Sequence, residues 1–506
     1  MSPFFPALTA LFSLAFGQGI TASAAPDFTE RPAYIIPEPR EIITDDGLLK
    51  KPFPIKNVID KSLDPEAYEL IITPREAFVK SSTPAGRLYG HSTLDQLISQ
   101  FGDKGIPCGT IKDSPRYPWR GLMLDPARHF IPVSDIRKFI DVMAYYKFNR
   151  LHLHLTDDQG WRLPVPGYPR LKTIASHREE TNGDGKPHGG MYTKQELKDL
   201  VRYAAAKNVE IIPEVDAPGH NVALAAAYPE FICFPNPNLK VFTSNGVTKE
   251  LVCPGNPDIW RFYTAVIKEL KDIFPSRYIH LGGDEAPEDN WMKCPKCAAW
   301  RKAAGIAELK DGDNNAMKTA ARQEMIQFFS RLTDIVNKAG KEPLFWYEQP
   351  IASYPKGSTV YTWRLGLTPD TVARTRKEGL KLIFSPGEHC YLDYPQLPGD
   401  WPKKEPAGGW MPTTTLEQTY KLDPGRGLTE EDAAHIVGVE ATMWGECIPD
   451  INKAFYMAYP RALALSEAGW SPADVRSWER FQGKLDQHRN IMQKKWNISL
   501  ERPAKK

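Results

Sequence analysis

The sequence holds no apolar run long enough to span a bilayer; its longest, Phe4 to Phe16, falls short of about 20 residues. Neither sign of charge prevails, since 64 Lys and Arg face 62 Asp and Glu for a net charge of +2. That balance supplies no basic footprint for nucleic acid, and the lysine-rich end "RPAKK" reads as a solvated tail. No internal sequence repeat is visible. Cysteine is scarce: Cys108, Cys233, Cys253, Cys294, Cys297, Cys390 and Cys447 in 506 residues. A chain this long buries a core without staples. In an exported chain Cys233–Cys253 and Cys294–Cys297 would close short loops, and the odd count leaves one thiol over. Cys294-Pro-Lys-Cys297 is also half a zinc motif, but no second pair follows at metal spacing, so loop disulfides or free thiols are expected.

What is present is ordinary for a globular enzyme, with 42% apolar and 25% charged residues. The aromatics, 13 Trp and 20 Tyr, are mostly core, but those at strand ends suit the apolar faces of sugar rings. The start, "MSPFFPALTALFSLAFGQGITASAAPDF", reads as a secretory signal over 1–24, with Ala22-x-Ala24 as cleavage site although no Lys or Arg precedes the apolar run. The expectation is an exported protein, periplasmic or secreted. No cysteine at the cleavage point invites a lipid.

Residues 27–115 read as a small α+β domain, with strand-like "AYIIPEPREI" and "EAYELIITP" before the helix "TPAGRLYGHSTLDQLISQF". A different rhythm occupies 116–473. Short apolar strands ("RGLMLD", "RLHLHL", "VEIIPEV", "YIHLGG", "PLFWYE", "TVYTW", "KLIFS" and "IVGVEA") alternate with amphipathic helices. Ser134 is placed to cap one helix, and Thr193 with Glu196 forms a capping box before another. The pattern predicts an α/β fold, a parallel (β/α)8 TIM barrel preceded by the α+β domain. A doubly wound sheet is the alternative, but no Gly-rich nucleotide loop opens its first helix. Two long loops, about 303–316 and 395–412, interrupt the rhythm, and 474–506 reads as an outer helix and tail.

In such a barrel the chemistry sits at the C-terminal strand ends. Those ends carry Asp125-x-x-Arg128-His129, Asp157-Asp158, Glu214-x-Asp216-x-x-x-His220, Asp284-Glu285, Trp346-x-Glu348, Trp363-Arg364, Tyr391-x-Asp393 and Trp444-x-Glu446. One such residue is usually a satisfied loop polar; eight in phase describe a cleft for a neutral, hydroxyl-rich ligand. Asp284 and Glu285 are adjacent, so they are badly placed to straddle a glycosidic bond as nucleophile and acid. One can protonate the leaving oxygen while the nucleophile comes from the substrate, whose 2-acetamido oxygen reaches the anomeric carbon. The other then holds the acetamido N–H and offsets the developing positive charge. Gly282 and Gly283 are expected to let the sugar approach the backbone.

"RGLMLDPARHF", "LHLHLTDDQGW", "PEVDAPGH", "HLGGDE", "ATMWGE" and "PRALALSEAGWS", in order along the chain, resemble family 20 glycoside hydrolases, the β-N-acetylhexosaminidases. The resemblance runs from about residue 30 to about 490. It implies Glu285 as general acid/base and Asp284 as the group that orients the acetamido. It implies Arg128, Asp393 and Glu446 on the outer hydroxyls and Tyr391 on the acetamido oxygen. Trp346, Trp363 and Trp444 become aromatic walls, with Trp410 as a loop aromatic, and Asp157 and His220 support the pair. It implies no metal and no organic cofactor, and an oligosaccharide or glycoconjugate ending in GlcNAc or GalNAc as partner. Retaining, exo-acting hydrolysis is expected, with lacto-N-biosidase-like release of a disaccharide as the alternative if the 395–412 loop widens the site. Two readings from other classes remain. His152-x-His154 shares one strand face and could start a metallohydrolase site completed by His220, His280 and Asp284, although hydrogen-bonded core histidines are the commoner case. A glycan-binding protein without catalysis would use the same cleft.

Overall fold

The structure is a computed structural model that describes residues 33–306, 314–348, 354–364, 369–398, 400 and 411–501. The expected signal, the terminal tail and Trp410 lie outside the described residues. The first strands alternate in period two. In β3 (Tyr68–Ile72) and β4 (Ala77–Ser81) every second side chain is buried, which puts Leu70, Ile72, Ala77 and Val79 in one core with Leu94 and Leu97 of helix α1 (Pro84–Phe101). With β1 (Glu41–Leu49), β2 (Ile55–Ile59) and β5 (Ile106–Asp113) they form one sheet in the order β1-β5-β3-β4-β2. The strand expected within "AYIIPEPREI" begins only at Glu41, because Pro37 and Pro39 have no N–H to give a neighbour.

The eight apolar segments then form eight strands: β6 (Trp119–Leu124), β7 (Arg150–His154), β8 (Glu210–Glu214), β9 (Tyr278–His280), β10 (Glu342–Trp346), β11 (Thr359–Thr362), β12 (Lys381–Phe384) and β13 (Ile436–Ala441). All pair in parallel, and the ring closes where Val439 of β13 lies opposite Arg120 of β6. Closure excludes the open sheet and gives the expected (β/α)8 barrel. The Thr193–Glu196 capping box is present before the helix Lys194–Ala205. Ser134 is not a cap: the helix Val133–Tyr145 starts one residue before it, from Pro132. The outer helix runs Trp478–Trp496, capped by Ser477. No helix among the described residues is long and apolar enough to cross a membrane.

The barrel interior is charged where the site will sit above it. Glu214, at the end of β8, lies 3.1 Å from His152 Nε2 and 2.8 Å from His280 Nδ1, and accepts from His154 Nδ1 and from Trp346 Nε1, the latter at 2.8 Å. Glu440 on β13 takes His152 Nδ1 at 2.8 Å and Trp119 Nε1 at 2.9 Å. Gly121 makes room for it, since a Cβ there would lie 2.2 Å from Glu440 Oε2. Both nitrogens of His154 are thus occupied by carboxylates, Glu214 and Asp157. His154 therefore has no nitrogen free for a metal, which removes one of the two imidazoles the metallohydrolase reading starts from.

Of the two expectations for the cysteines, free thiols rather than loop disulfides are observed. All seven are unbonded, and Cys233, Cys253, Cys294 and Cys297 come together in one cluster. The loops after β8 and β9 fold against one another and bring their cysteines together across a gap the sequence spacing concealed.

A second buried cluster joins the sheet domain to the barrel. Lys147 Nζ donates to Asp113 Oδ2 at 2.9 Å and to Tyr68 OH at 3.0 Å, and Trp470 Nε1 donates to the same Asp113 oxygen at 2.9 Å. Removing one member of a buried pair strands the other in low dielectric. Asp113→Ala is therefore expected to cost about 3–5 kcal/mol, read as a lower urea midpoint, whereas removal of the exposed pair Lys240–Glu179 should leave the midpoint almost unchanged.

Candidate active site

Each strand end delivers its polar groups to the same mouth of the barrel. After β6, Asp125 holds the chain in a turn: its Oδ1 accepts the Arg128 amide at 2.9 Å, while Oδ2 takes Arg128 Nη1 at 2.9 Å and the Gly445 amide at 2.8 Å. Arg128 then reaches Asp157 Oδ2 at 2.8 Å and Glu446 Oε1 at 3.6 Å, with its guanidinium 5.0 Å over the Trp444 ring. Asp157 is shared, because its carboxylate also meets His154 Nε2 at 2.7 Å and His220 Nδ1 at 3.3 Å. The other face of His220 looks at Glu285, with Nε2 at 3.6 Å from Oε2.

The β9 end is built around its glycines. Gly282 has φ +65°, and a Cβ there would fall 1.8 Å from Asp216 Oδ1; at Gly283, φ +101°, it would lie 2.9 Å from Phe329. The Gly283 amide donates to Asp216 Oδ1 at 3.2 Å. These glycines serve the approach of protein to protein rather than of sugar to backbone, which corrects the expectation. Glu285 and His220 are themselves held left-handed, at φ +48° and +51°. For non-glycine residues this costs on the order of 1–3 kcal/mol each and marks a site whose geometry is imposed by its surroundings.

The carboxyls differ sharply. Burial, opposed by His220 and reinforced by the charge of Glu285, pushes Asp284 up to about 7. Burial also works against ionised Glu285, but the hydrogen bond and charge of His220, with Arg128 and Arg364 behind, hold it below the ordinary glutamate value. His220 resists burial through Asp157, Asp158 and Glu285 and is raised well above the usual histidine range, so it is an imidazolium here. Asp216 is driven upward by burial and by Asp284. Below about pH 7 the Asp284–Glu285 pair thus holds one proton, on Asp284, and at neutral pH that carboxyl is near its midpoint. Asp284 Oδ1 and Trp363 Nε1 are buried with no hydrogen-bond partner among the described residues.

Arg128, Asp157, His220, Asp284, Glu285, Trp363, Tyr391, Trp444 and Glu446 line one pocket at the barrel mouth. Asp216 and Tyr394 join them. Asp216 was visible as a strand-end acid, but nothing in the sequence pointed to Tyr394. Two expected residues are almost fully buried. Trp346 is 1% exposed and belongs to the barrel floor, its ring 5.5 Å from Trp444. As the last residue of β10 it shares the inward parity of Leu344. Asp393 is 1% exposed and does not line the pocket; burial and Glu446 drive its pKa well above the usual carboxylate range. Trp410 falls outside the described residues. Glu285 is the hinge of the surface, for it also lines an open outer groove with Val247, Arg322, Glu348 and Arg364.

Comparison with known proteins agrees with this geometry. Residues 117–473 match the family described as "Glycosyl hydrolase family 20, catalytic domain", and residues 45–114 match its "domain 2". A beta-hexosaminidase of Akkermansia muciniphila is 52% identical over 489 residues, covering 96% of this chain and 95% of that protein. The crystal structure of a beta-N-acetylhexosaminidase superposes with TM-score 0.87 at 51% identity, over 93% of this chain and 97% of that one. An exo-β-N-acetylglucosaminidase from Vibrio harveyi, in complex with N-acetylglucosamine, gives TM-score 0.78 at 25% identity over 91% of this chain and 77% of that one. The chain belongs to glycosyl hydrolase family 20.

Proposed function

We propose that this glycoside hydrolase removes terminal β-linked N-acetylhexosamine, GlcNAc or GalNAc, from the non-reducing ends of glycans, using the substrate's own acetamido oxygen as nucleophile. The observation that carries the reading is the position of Glu285 between an enclosed pocket and an open groove. A sugar ring seated in the pocket places its glycosidic oxygen at that border and its leaving group in the groove. Asp284 lies deeper, 6% exposed, where it meets the ring's 2-substituent. Arg128 and Glu446 are placed for the outer hydroxyls, Tyr391 for the acetamido oxygen, and Trp363 and Trp444 for the ring and the acetamido methyl. Asp157 and His220 act through Arg128 and the pair.

The resting proton sits on the wrong member of the pair for this reaction, and substrate corrects it. The Glu285 side chain is 35% exposed when the cleft is open. A bound glycan covers it, removes the water that stabilised its charge and raises its pKa. The acetamido N–H meanwhile donates to Asp284 and favours its ionised form. The shared proton then lies on Glu285, ready for the glycosidic oxygen, and the carboxylate of Asp284 faces the cyclising amide. When the anomeric bond breaks, the proton passes to the leaving group and the amide oxygen closes on carbon one. Glu285, now a base, takes a proton from the water that opens the ring and restores retained configuration.

Three outcomes follow from these roles. Glu285→Gln should lose roughly 10²–10⁴-fold in kcat on an aryl β-N-acetylglucosaminide, while still binding N-acetylhexosamine glycans in calorimetry. A purely glycan-binding protein would show no turnover to lose. Asp284→Asn should lose about 10²–10³-fold, because the cyclised cation keeps no counter-charge. The pH profile follows from the pair: kcat/KM should fall as pH rises through about 7, where the last proton leaves Asp284 in the free enzyme. In Asp284→Asn that limb should move to lower pH, towards the depressed value of Glu285. An unchanged limb in this variant would assign it to another group.

A further inference from the structure

We propose that Cys233, Cys253, Cys294 and Cys297 form a structural zinc site that clamps together the two loops carrying His220 and the Asp284–Glu285 pair. All four side chains are buried, and their sulfurs lie within 4.8 Å of one another. The Sγ–Sγ separations of 3.6 Å for Cys233–Cys297, 3.8 Å for Cys253–Cys294 and 3.6 Å for Cys253–Cys297 are far too long for bonded pairs. They match a tetrahedron: four sulfurs at about 2.3 Å from a central zinc stand about 3.8 Å apart. Two disulfides would instead shorten two edges and lengthen the others.

The surroundings are those of a closed site. Cys294 and Cys297 bracket the start of the helix Pro295–Ala303, a Cys-x-x-Cys knuckle at a positive helix end that favours thiolates. Cys233 and Cys253 come from the loop after β8, drawn into antiparallel contact by the Ile232–Val252 bridge and by the Cys253 amide donating to Phe231 O at 2.7 Å. Gly255 lets the two loops touch, since a Cβ there would lie 2.2 Å from Lys296 O. Binding displaces the thiol protons and leaves a closed tetrathiolate with no position for substrate, so the ion takes no part in hydrolysis. Its consequence is mechanical. The Val252 amide donates to Pro218 O at 3.2 Å, two residues before His220, and Trp291 Nε1, six residues beyond Glu285, donates to Val252 O at 2.9 Å. The clamp therefore fixes both sides of the His220–Glu285 contact.

The full chain, purified without chelator, should contain about one zinc per molecule by plasma mass spectrometry, with an X-ray absorption spectrum of four sulfurs at about 2.3 Å. Cys294→Ser/Cys297→Ser should lose the zinc and melt at a lower temperature. If that variant does not fold, the wild-type spectrum decides alone. Two disulfides in non-reducing peptide maps, four alkylatable thiols without metal, or iron in place of zinc would each overturn the assignment. None of these results bears on Asp284 and Glu285, so the clamp and the catalytic reading fail separately.

Discussion

A single buried carboxylate organises the catalytic end of the barrel. Glu214 gathers His152, His154, His280 and Trp346 from β7, β9 and β10. A charge so deep is tolerable only when every lone pair is met, and the requirement works in both directions: the carboxylate needs the donors, and the donors fix the strand ends. From this floor the order passes upward. His154 also holds Asp157, Asp157 holds Arg128 and His220, and His220 faces Glu285. The proton balance of the reacting pair is thus anchored through His220, Asp157 and His154 to Glu214 inside the barrel.

That chain explains why the adjacent acids at the end of β9 do not simply repel. One is buried and keeps its proton up to about pH 7; the other is half-open to solvent and leans on an imidazolium. They form a one-proton unit whose proton moves when substrate changes the solvation of each partner. An enzyme-borne nucleophile would need a carboxylate across the bond from the acid, and adjacency denies it one. The same adjacency suits a substrate that carries its own nucleophile and needs only an acid and a counter-charge side by side.

Much of this was legible in the sequence because barrel strands, buried on both faces, read as short apolar runs, and their polar ends fall in phase. The Asp284–Glu285 pair could be read because consecutive residues need no fold to bring them together. What escaped depended on parity and on distance. Trp346 looks like a wall from its place in "FWYE", yet as an inward residue of β10 it becomes floor. Gly282 and Gly283 look like room for a ligand, whereas Asp216 and Phe329 fill that room. Tyr394 carries no local signal, and Cys233 and Cys253, 20 positions apart, show no metal spacing until their loop folds back on itself.

The most direct test of a substrate-borne nucleophile is a series of aryl glycosides whose 2-acetamido group carries zero, one, two or three fluorines. Fluorine withdraws electrons from the amide oxygen while scarcely altering its size. If that oxygen attacks the anomeric carbon, kcat must fall steeply and in order along the series. A kcat indifferent to fluorination would place the nucleophile on the protein or in solvent and contradict the division of labour between Asp284 and Glu285.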